Sequence, residues 1–220
     1  MRLVILISLL IAGFLLAALS GCEEPSPVAP DVVTDVRETS AEEKPIQFKD
    51  DVTSSVELPE SVQELTFIDT KGNTVAIADY KAANKNVVLV FTEGFNQMIC
   101  PYCKTQTSRL VANYEKFKKL DTEVLVVYPG ATDHLDEFVE SARTTDKEQL
   151  RSVPFPIVLD EDFKAVDFFG IRSKLAHPST YIIDKSGNVV LAYVGADMTA
   201  DRPSVKAILE KLKASNTQTP

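Results

Sequence analysis

Four consecutive residues, Cys100-Pro101-Tyr102-Cys103, constrain this chain more than any other feature. They follow the apolar run Val87-Val88-Leu89-Val90-Phe91, and after them Leu110, Val111, Tyr114, Phe117 and Leu120 recur at helical spacing. The pattern predicts a strand, a loop and a helix, with two cysteines one turn apart at the helix start, where they can form a reversible disulfide. Pro101 takes the first helical position, where its missing N–H costs nothing. The helix dipole stabilises an anion at that end. Cys100 is therefore expected to have a lowered pKa and to be the attacking thiol, with Cys103 as the resolving thiol.

Two other readings fit two cysteines at this spacing. They could be half of a structural zinc site, but such sites want four ligands, and the chain offers only Cys22, His134 and His177 besides. They could be inert core thiols, but the Pro-Tyr insert and the strand-then-helix setting favour redox work.

The N-terminus begins Met1-Arg2 and runs through apolar residues from Leu3 to Leu19. One basic residue, an apolar core and small residues before the break describe a secretory signal and not a membrane span of the mature chain. The ending Leu19-Ser20-Gly21-Cys22 resembles the lipobox of bacterial lipoproteins. That resemblance implies removal of residues 1–21, lipidation of Cys22, and a membrane-anchored protein on the extracytoplasmic side of a bacterial envelope. The alternative is an ordinary signal peptide cut elsewhere, with Cys22 a spare thiol. The net charge of −9 becomes −10 once Arg2 leaves with the signal. An acidic chain argues against nucleic acid as a partner and against charge-driven membrane binding, so membrane attachment must come from the lipid.

Residues 22–57 carry Pro25, Pro27, Pro30 and Pro45, scattered acids and few large apolar side chains, and read as a disordered tether with a reach on the order of 30 Å. The folded domain is expected over 58–214, with 215–220 a flexible tail. It opens with a hairpin, Leu65–Asp69 and Thr74–Ile77 around Lys71-Gly72-Asn73. After the cysteine helix come a buried strand at Glu123–Tyr128, a helix at about Asp133–Arg143, a short strand at Pro156–Asp160 and a short helix at Asp162–Phe169. A second hairpin pairs Ser179–Asp184 with Val189–Val194, and a final helix is expected with Asp201 as its cap and Pro203 in its first turn. Strand, helix, strand with apolar strands means a right-handed crossover and parallel pairing, while the hairpins make the sheet mixed.

This order resembles the thioredoxin fold: an α/β domain with a central mixed sheet flanked by helices and an N-terminal hairpin. His177-Pro178-Ser179-Thr180 looks like that family's cis-proline segment, which implies that Pro178 packs against the cysteine pair and that His177 lies beside Cys100. His177 could steady the thiolate or move a proton. Tyr102 is expected at the rim of the site and His134 on the surface. The opening hairpin, the insertion between Tyr128 and Pro156, the long loop Thr92–Ile99 and the segment Asp201-Arg202-Pro203-Ser204 resemble the alkyl hydroperoxide reductase / thiol-specific antioxidant group, that is, peroxiredoxin-like proteins. The chain departs from that pattern. Glu93 and Gln97 stand where the group has Pro and Thr, the resolving cysteine is one turn away, and Arg109 and Arg172 are the candidates for the arginine that polarises a peroxide. The resemblance implies a thiol oxidoreductase with no metal or organic cofactor. Its substrate would be a peroxide or a protein disulfide, and a thiol electron donor, thioredoxin-like or a membrane dithiol reductase, would restore the dithiol. A copper site built from Cys100, Cys103 and His177 is the alternative from another class.

Overall fold

In the computed structural model, which describes residues 45–57, 59, 61–145, 148–197 and 199–218, the apolar run at 87–91 becomes strand β3 (Asn86–Phe91), buried at every position. Burial on both faces explains the lack of alternation in its sequence. The other strands are β1 (Thr66–Asp69), β2 (Thr74–Ala76), β4 (Thr122–Pro129), β5 (Ile157–Asp160), β6 (Ser179–Ile183) and β7 (Val189–Val194). They form one seven-stranded sheet in the order β2-β1-β5-β4-β3-β6-β7. β3, β4 and β5 pair in parallel, and the remaining pairs are antiparallel. The mixed sheet expected from the two hairpins is present, with β3 next to its centre.

Helices cover both faces. Side chains of β3 alternate between them: Val88 and Val90 join one core with Leu110, Phe138, Ile208 and Leu212, while Val87, Leu89 and Phe91 join the other with Ile77, Val166 and Tyr181. The first core takes α2 (Pro101–Ala112), α3 (Tyr114–Lys118), α4 (Leu135–Ala142) and α6 (Val205–Gln218); the second takes α1 (Ile77–Ala82) and α5 (Lys164–Phe168). Among the described residues no helix is long and apolar enough to cross a membrane. The expected signal and the expected lipidation site, Cys22, lie outside the described residues.

Several boundaries differ from the sequence expectation. The helix after the cysteines breaks at Asn113, whose side-chain amide donates to the Arg109 carbonyl at 2.8 Å, a local bond that competes with helix propagation. Tyr114 and Phe117 still reach the same core from α3. Helix α1 follows directly from β2 and carried no periodic signal because it is short. The final helix is capped by Ser204, which accepts from Ala207 N–H at 3.1 Å, and not by Asp201, which is engaged elsewhere. That helix continues to Gln218, so the segment read as a tail from 215 is helical for its first four residues.

The largest correction concerns residues 45–57, expected in the tether. They lie on the domain. Val52 is buried, Ser55 N–H donates to the Ala192 carbonyl at 2.9 Å, and the Ser54 and Ser55 hydroxyls accept from Ala192 and Val194 N–H. β7 is an edge strand, and this segment occupies its open backbone groups. Composition hid it because its anchors are hydrogen bonds and one buried valine.

Candidate active site

The site forms where β3 ends and α2 begins. Thr92 prolongs the pairing with β4, its N–H and hydroxyl both donating to the Val127 carbonyl at 3.0 Å. The loop then turns back on itself: Phe95 and Ile99 form an antiparallel bridge, and Gln97 at the tip has φ +67°. Gly94 is required at the base of this turn, because its φ is +82° and a Cβ would stand 2.5 Å from the Pro129 carbonyl oxygen. The return strand of the turn delivers Cys100 to the N-cap of α2, with Pro101 in the first turn.

Cys100 and Cys103 stand as thiols and not as a disulfide, 6% and 2% exposed. The Cys103 N–H donates to Cys100 Sγ at 3.3 Å, so the Cys100 sulfur caps the helix. The Glu93 N–H donates to Cys103 Sγ at 3.3 Å. Arg202 Nη2 donates to Cys100 Sγ at 3.6 Å. The Cys103 thiol hydrogen bond, the Cys103 N–H and the Arg202 guanidinium together outweigh desolvation and pull Cys100 down to about 6. Burial, reinforced by the neighbouring Cys100, pushes Cys103 well above the ordinary thiol value. Cys100 is therefore the thiol that ionises first.

Arg202 escaped the sequence reading. It is 1% exposed and lies 102 residues from Cys100 in the chain. Its Nη1 donates to Gln106 Oε1 at 3.4 Å, its Nε to the Thr199 carbonyl at 3.0 Å, and its guanidinium stands 5.9 Å from the Tyr102 ring centre. Gln106 in turn donates to Thr180 Oγ1 at 3.4 Å, which ties the arginine to β6 just past Pro178. The two arginines offered from sequence are elsewhere. Arg109 donates to the Ile46 carbonyl, and Arg172 makes two hydrogen bonds to Asp167, at 2.7 and 2.8 Å. The segment Asp201–Ser204 carried the signal that could have found Arg202, but it reads equally well as a helix start.

Pro178 is buried at the start of β6, and its carbonyl accepts from Gly195 N–H at 3.0 Å. His177 is half-buried, with its backbone N–H on the Ile171 carbonyl and its Nδ1 buried without a hydrogen-bond partner. Among the described residues, the group whose metal-ligating atoms all lie within 4.8 Å of one another is Glu93, Cys100 and Cys103. His177 is not part of it, so the three-ligand copper set expected from sequence is not assembled. A hard carboxylate in its place does not suit a soft copper(I) ion. His134 stacks on Phe95 with ring centres 3.6 Å apart and is partly exposed. Phe95, Met98, Ile99, Pro101, Lys104 and His134 line an open groove of about 530 Å³ whose wall includes both chain neighbours of Cys100.

This architecture is similar to solved peroxiredoxins. Peroxiredoxin 6 of Arenicola marina superposes with a TM-score of 0.60 at 19% identity, over 74% of this chain and 76% of that one. Peroxiredoxin Q of Xanthomonas campestris superposes with a TM-score of 0.54 at 20% identity, over 73% and 97%. Among curated proteins, the chain is 28% identical over 132 residues to chloroplastic peroxiredoxin Q of Sedum lineare, covering 58% of this chain and 63% of that protein. It is 24% identical over 135 residues to the thiol-disulfide oxidoreductase ResA of Halalkalibacterium halodurans, covering 60% and 67%. The match thus spans a little under two thirds of the peroxiredoxin Q relative. With its cysteine pair, sheet order and peroxiredoxin-like outline together, and with a family model matching residues 56–192, the chain belongs to the AhpC/TSA family.

Proposed function

We propose that this protein is a thiol oxidoreductase in which Cys100 is the nucleophile and Cys103 the resolving thiol. The observation that carries the reading is the geometry of the pair: the Cys103 N–H and the Arg202 guanidinium both donate to Cys100 Sγ, at 3.3 and 3.6 Å, which favours the thiolate there, while Cys103 is buried behind it, which favours the protonated thiol. With a disulfide substrate, Cys100 Sγ attacks one sulfur, a mixed disulfide forms and the other substrate sulfur leaves as a thiolate. Cys103 then loses its proton and attacks Cys100 Sγ, which closes the Cys100–Cys103 disulfide and releases the second substrate thiol. The protein pair is oxidised by two electrons and the substrate disulfide reduced by two. With a peroxide, Cys100 attacks the terminal oxygen, the O–O bond breaks, and an alcohol or water leaves; Cys103 then condenses with the Cys100 sulfenic acid and releases water.

Glu93 is the group placed to take the Cys103 proton, since its carboxylate lies within 4.8 Å of both sulfurs. Arg202 supports the peroxide branch, because a guanidinium at the attacking sulfur can also polarise the incoming oxygen. The adjacent cysteine pair and the groove beside Cys100 support the disulfide branch. No metal or organic cofactor enters either sequence. A dithiol donor, thioredoxin-like or a membrane dithiol reductase, would regenerate the reduced state. The lipobox-like ending at Cys22 supports anchoring on the extracytoplasmic face of a bacterial membrane.

Stopped-flow mixing of the reduced protein with hydrogen peroxide and with a model protein disulfide separates the branches. Cys103→Ser is expected to trap mixed disulfides with partner proteins, and Cys100→Ser to trap none. Trapping by Cys100→Ser alone would reverse the assignment of the two thiols.

A further inference from the structure

Arg202 belongs to no strand or helix. It sits in the segment 199–204 between β7 and α6. A buried guanidinium carried on such a segment meets a sulfur at 3.6 Å only if its backbone is fixed from outside. The residues that fix it are Pro45–Asp50. Lys49 N–H donates to the Arg202 carbonyl at 2.8 Å, and the Lys49 carbonyl accepts from Ser204 N–H at 2.8 Å, so one residue brackets Arg202 and Pro203 by main-chain bonds. The Lys49 ammonium pairs with the Asp201 carboxylate and donates to Tyr193 Oη at 3.0 Å. Asp201 accepts in addition from the Tyr193 hydroxyl and from Ala196 N–H, each at 2.6 Å. At the other end of the segment, Arg109 of α2 donates to the Ile46 carbonyl at 2.5 Å and lies 5.0 Å from the Phe48 ring centre. The helix that carries Cys100 at its N-cap is thereby tied, through six residues of strap, to the backbone that carries Arg202.

We propose that Pro45–Asp50 is a strap that holds Arg202 against Cys100, with Lys49 and Asp201 as positioning residues for the thiolate. The inference rests on Cys100 being the attacking thiol. It extends the working site beyond residues 56–192, which contain neither the strap nor Arg202.

Charge alone gives the two residues opposite effects, and this makes the inference testable. Acting only through space, the Asp201 carboxylate opposes a nearby thiolate, so Asp201→Asn would lower the Cys100 pKa. Acting as a positioner, Asp201 holds Arg202 in place, so the same substitution raises it. The measurement is the rate of iodoacetamide labelling at Cys100 against pH, followed by mass spectrometry on the reduced full chain. Lys49→Met and Asp201→Asn are each expected to move the midpoint up and to slow labelling at pH 6 by about two- to fivefold, the effect of a rise of roughly half to one pH unit from a midpoint near 6. Arg202→Met sets the largest shift available, and Lys49→Arg is expected to restore most of the native profile. Lys185→Met, which removes a distant cation paired with Asp121, is expected to leave the midpoint in place.

If Asp201→Asn lowers the midpoint, or if both strap variants leave it unmoved while Arg202→Met raises it, the strap has no positioning role and Cys100 keeps its own. A native midpoint at the ordinary thiol value would overturn the reading of Cys100 and the strap with it. Should Asp201→Asn fold poorly, Tyr193→Phe decides the matter, because it removes the hydroxyl that bonds both Lys49 and Asp201 without changing any charge: a raised midpoint supports positioning, and an unmoved one overturns it.

Discussion

Cys100 and Cys103 are both nearly withdrawn from water, so desolvation pushes both thiols up. They part because donors converge on one sulfur. Cys100 receives the Cys103 N–H, the Cys103 thiol and the Arg202 guanidinium, whereas Cys103 receives the Glu93 N–H and faces the thiolate it helps to stabilise. Labelling of the reduced protein with iodoacetamide is expected to rise with a midpoint near pH 6, about the value to which Cys100 is pulled, and to fall almost wholly on Cys100; peptide mapping after a pulse at pH 6 checks it. Glu93→Gln is expected to leave that midpoint within about half a unit while slowing release of the mixed disulfide about a hundredfold or more, the usual range for loss of a proton acceptor. Quench-flow with a fluorescent disulfide reads the two steps separately. Gly195 matters for a steric reason. A Cβ there would stand 2.6 Å from the Asp201 carbonyl oxygen and 3.2 Å from that of Pro178, both backbone atoms with little room to yield. Gly195→Ala is expected to cost roughly 1–3 kcal/mol and to weaken the hold on Arg202.

At the scale of elements, β3 is the piece on which the rest depends. It pairs with β4 on one side and β6 on the other, feeds both cores, and ends where the site begins. Leu89, fully buried at its centre, is expected to cost about 2–5 kcal/mol when replaced by Ala, read as a lowered denaturant midpoint with an unchanged slope. The strap responds to pH in a definite direction. Its Lys49 and Tyr193 partners, with the Ala196 N–H, overcome partial burial and hold Asp201 down to about 2, and Ser204 and Lys206 hold Asp50 below its usual value. Both folded-state values are depressed, so their contribution is present above the unfolded carboxylate pKa and is lost as pH falls through the folded one. Protection of the Lys49 and Ser204 amides in hydrogen exchange is expected at pH 5 and to fall between about pH 4 and pH 2, ahead of protection in β3. Simultaneous loss at both places would mean that the strap is no separate unit.

For the whole molecule, residues 45–57 belong with the folded unit expected from 58 onward, and α6 carries it to Gln218. A chain starting at Pro45 is expected to melt at the temperature of the chain starting at Cys22. One starting at Val56, where the family match begins, is expected to melt several degrees lower and to show a raised Cys100 midpoint. Differential scanning calorimetry on the three chains decides the boundary. Cys22→Ser is expected to release the protein from membranes or to block its processing, and fractionation of cells expressing it checks the anchor.

Much of this was legible in the residues because the signals were local. The β3 run is apolar without alternation because both of its faces are buried. The Cys-Pro-Tyr-Cys turn marks a helix start because proline fits there and a capping sulfur meets N–H groups within one turn. The two hairpins follow from turn chemistry within a few residues. What escaped is what the chain brings together from afar. No period or cap links Arg202 to a cysteine 102 residues earlier, and its neighbours read as a helix start. The segment 45–57 is held by hydrogen bonds to backbone groups of β7 and of the segment 199–204, partners that exist only once the sheet has placed them. The order of the strands, the donors that separate two equally buried thiols, and the arginine at the reactive one were decided by tertiary structure, because each depends on distances between segments that local backbone preferences cannot encode.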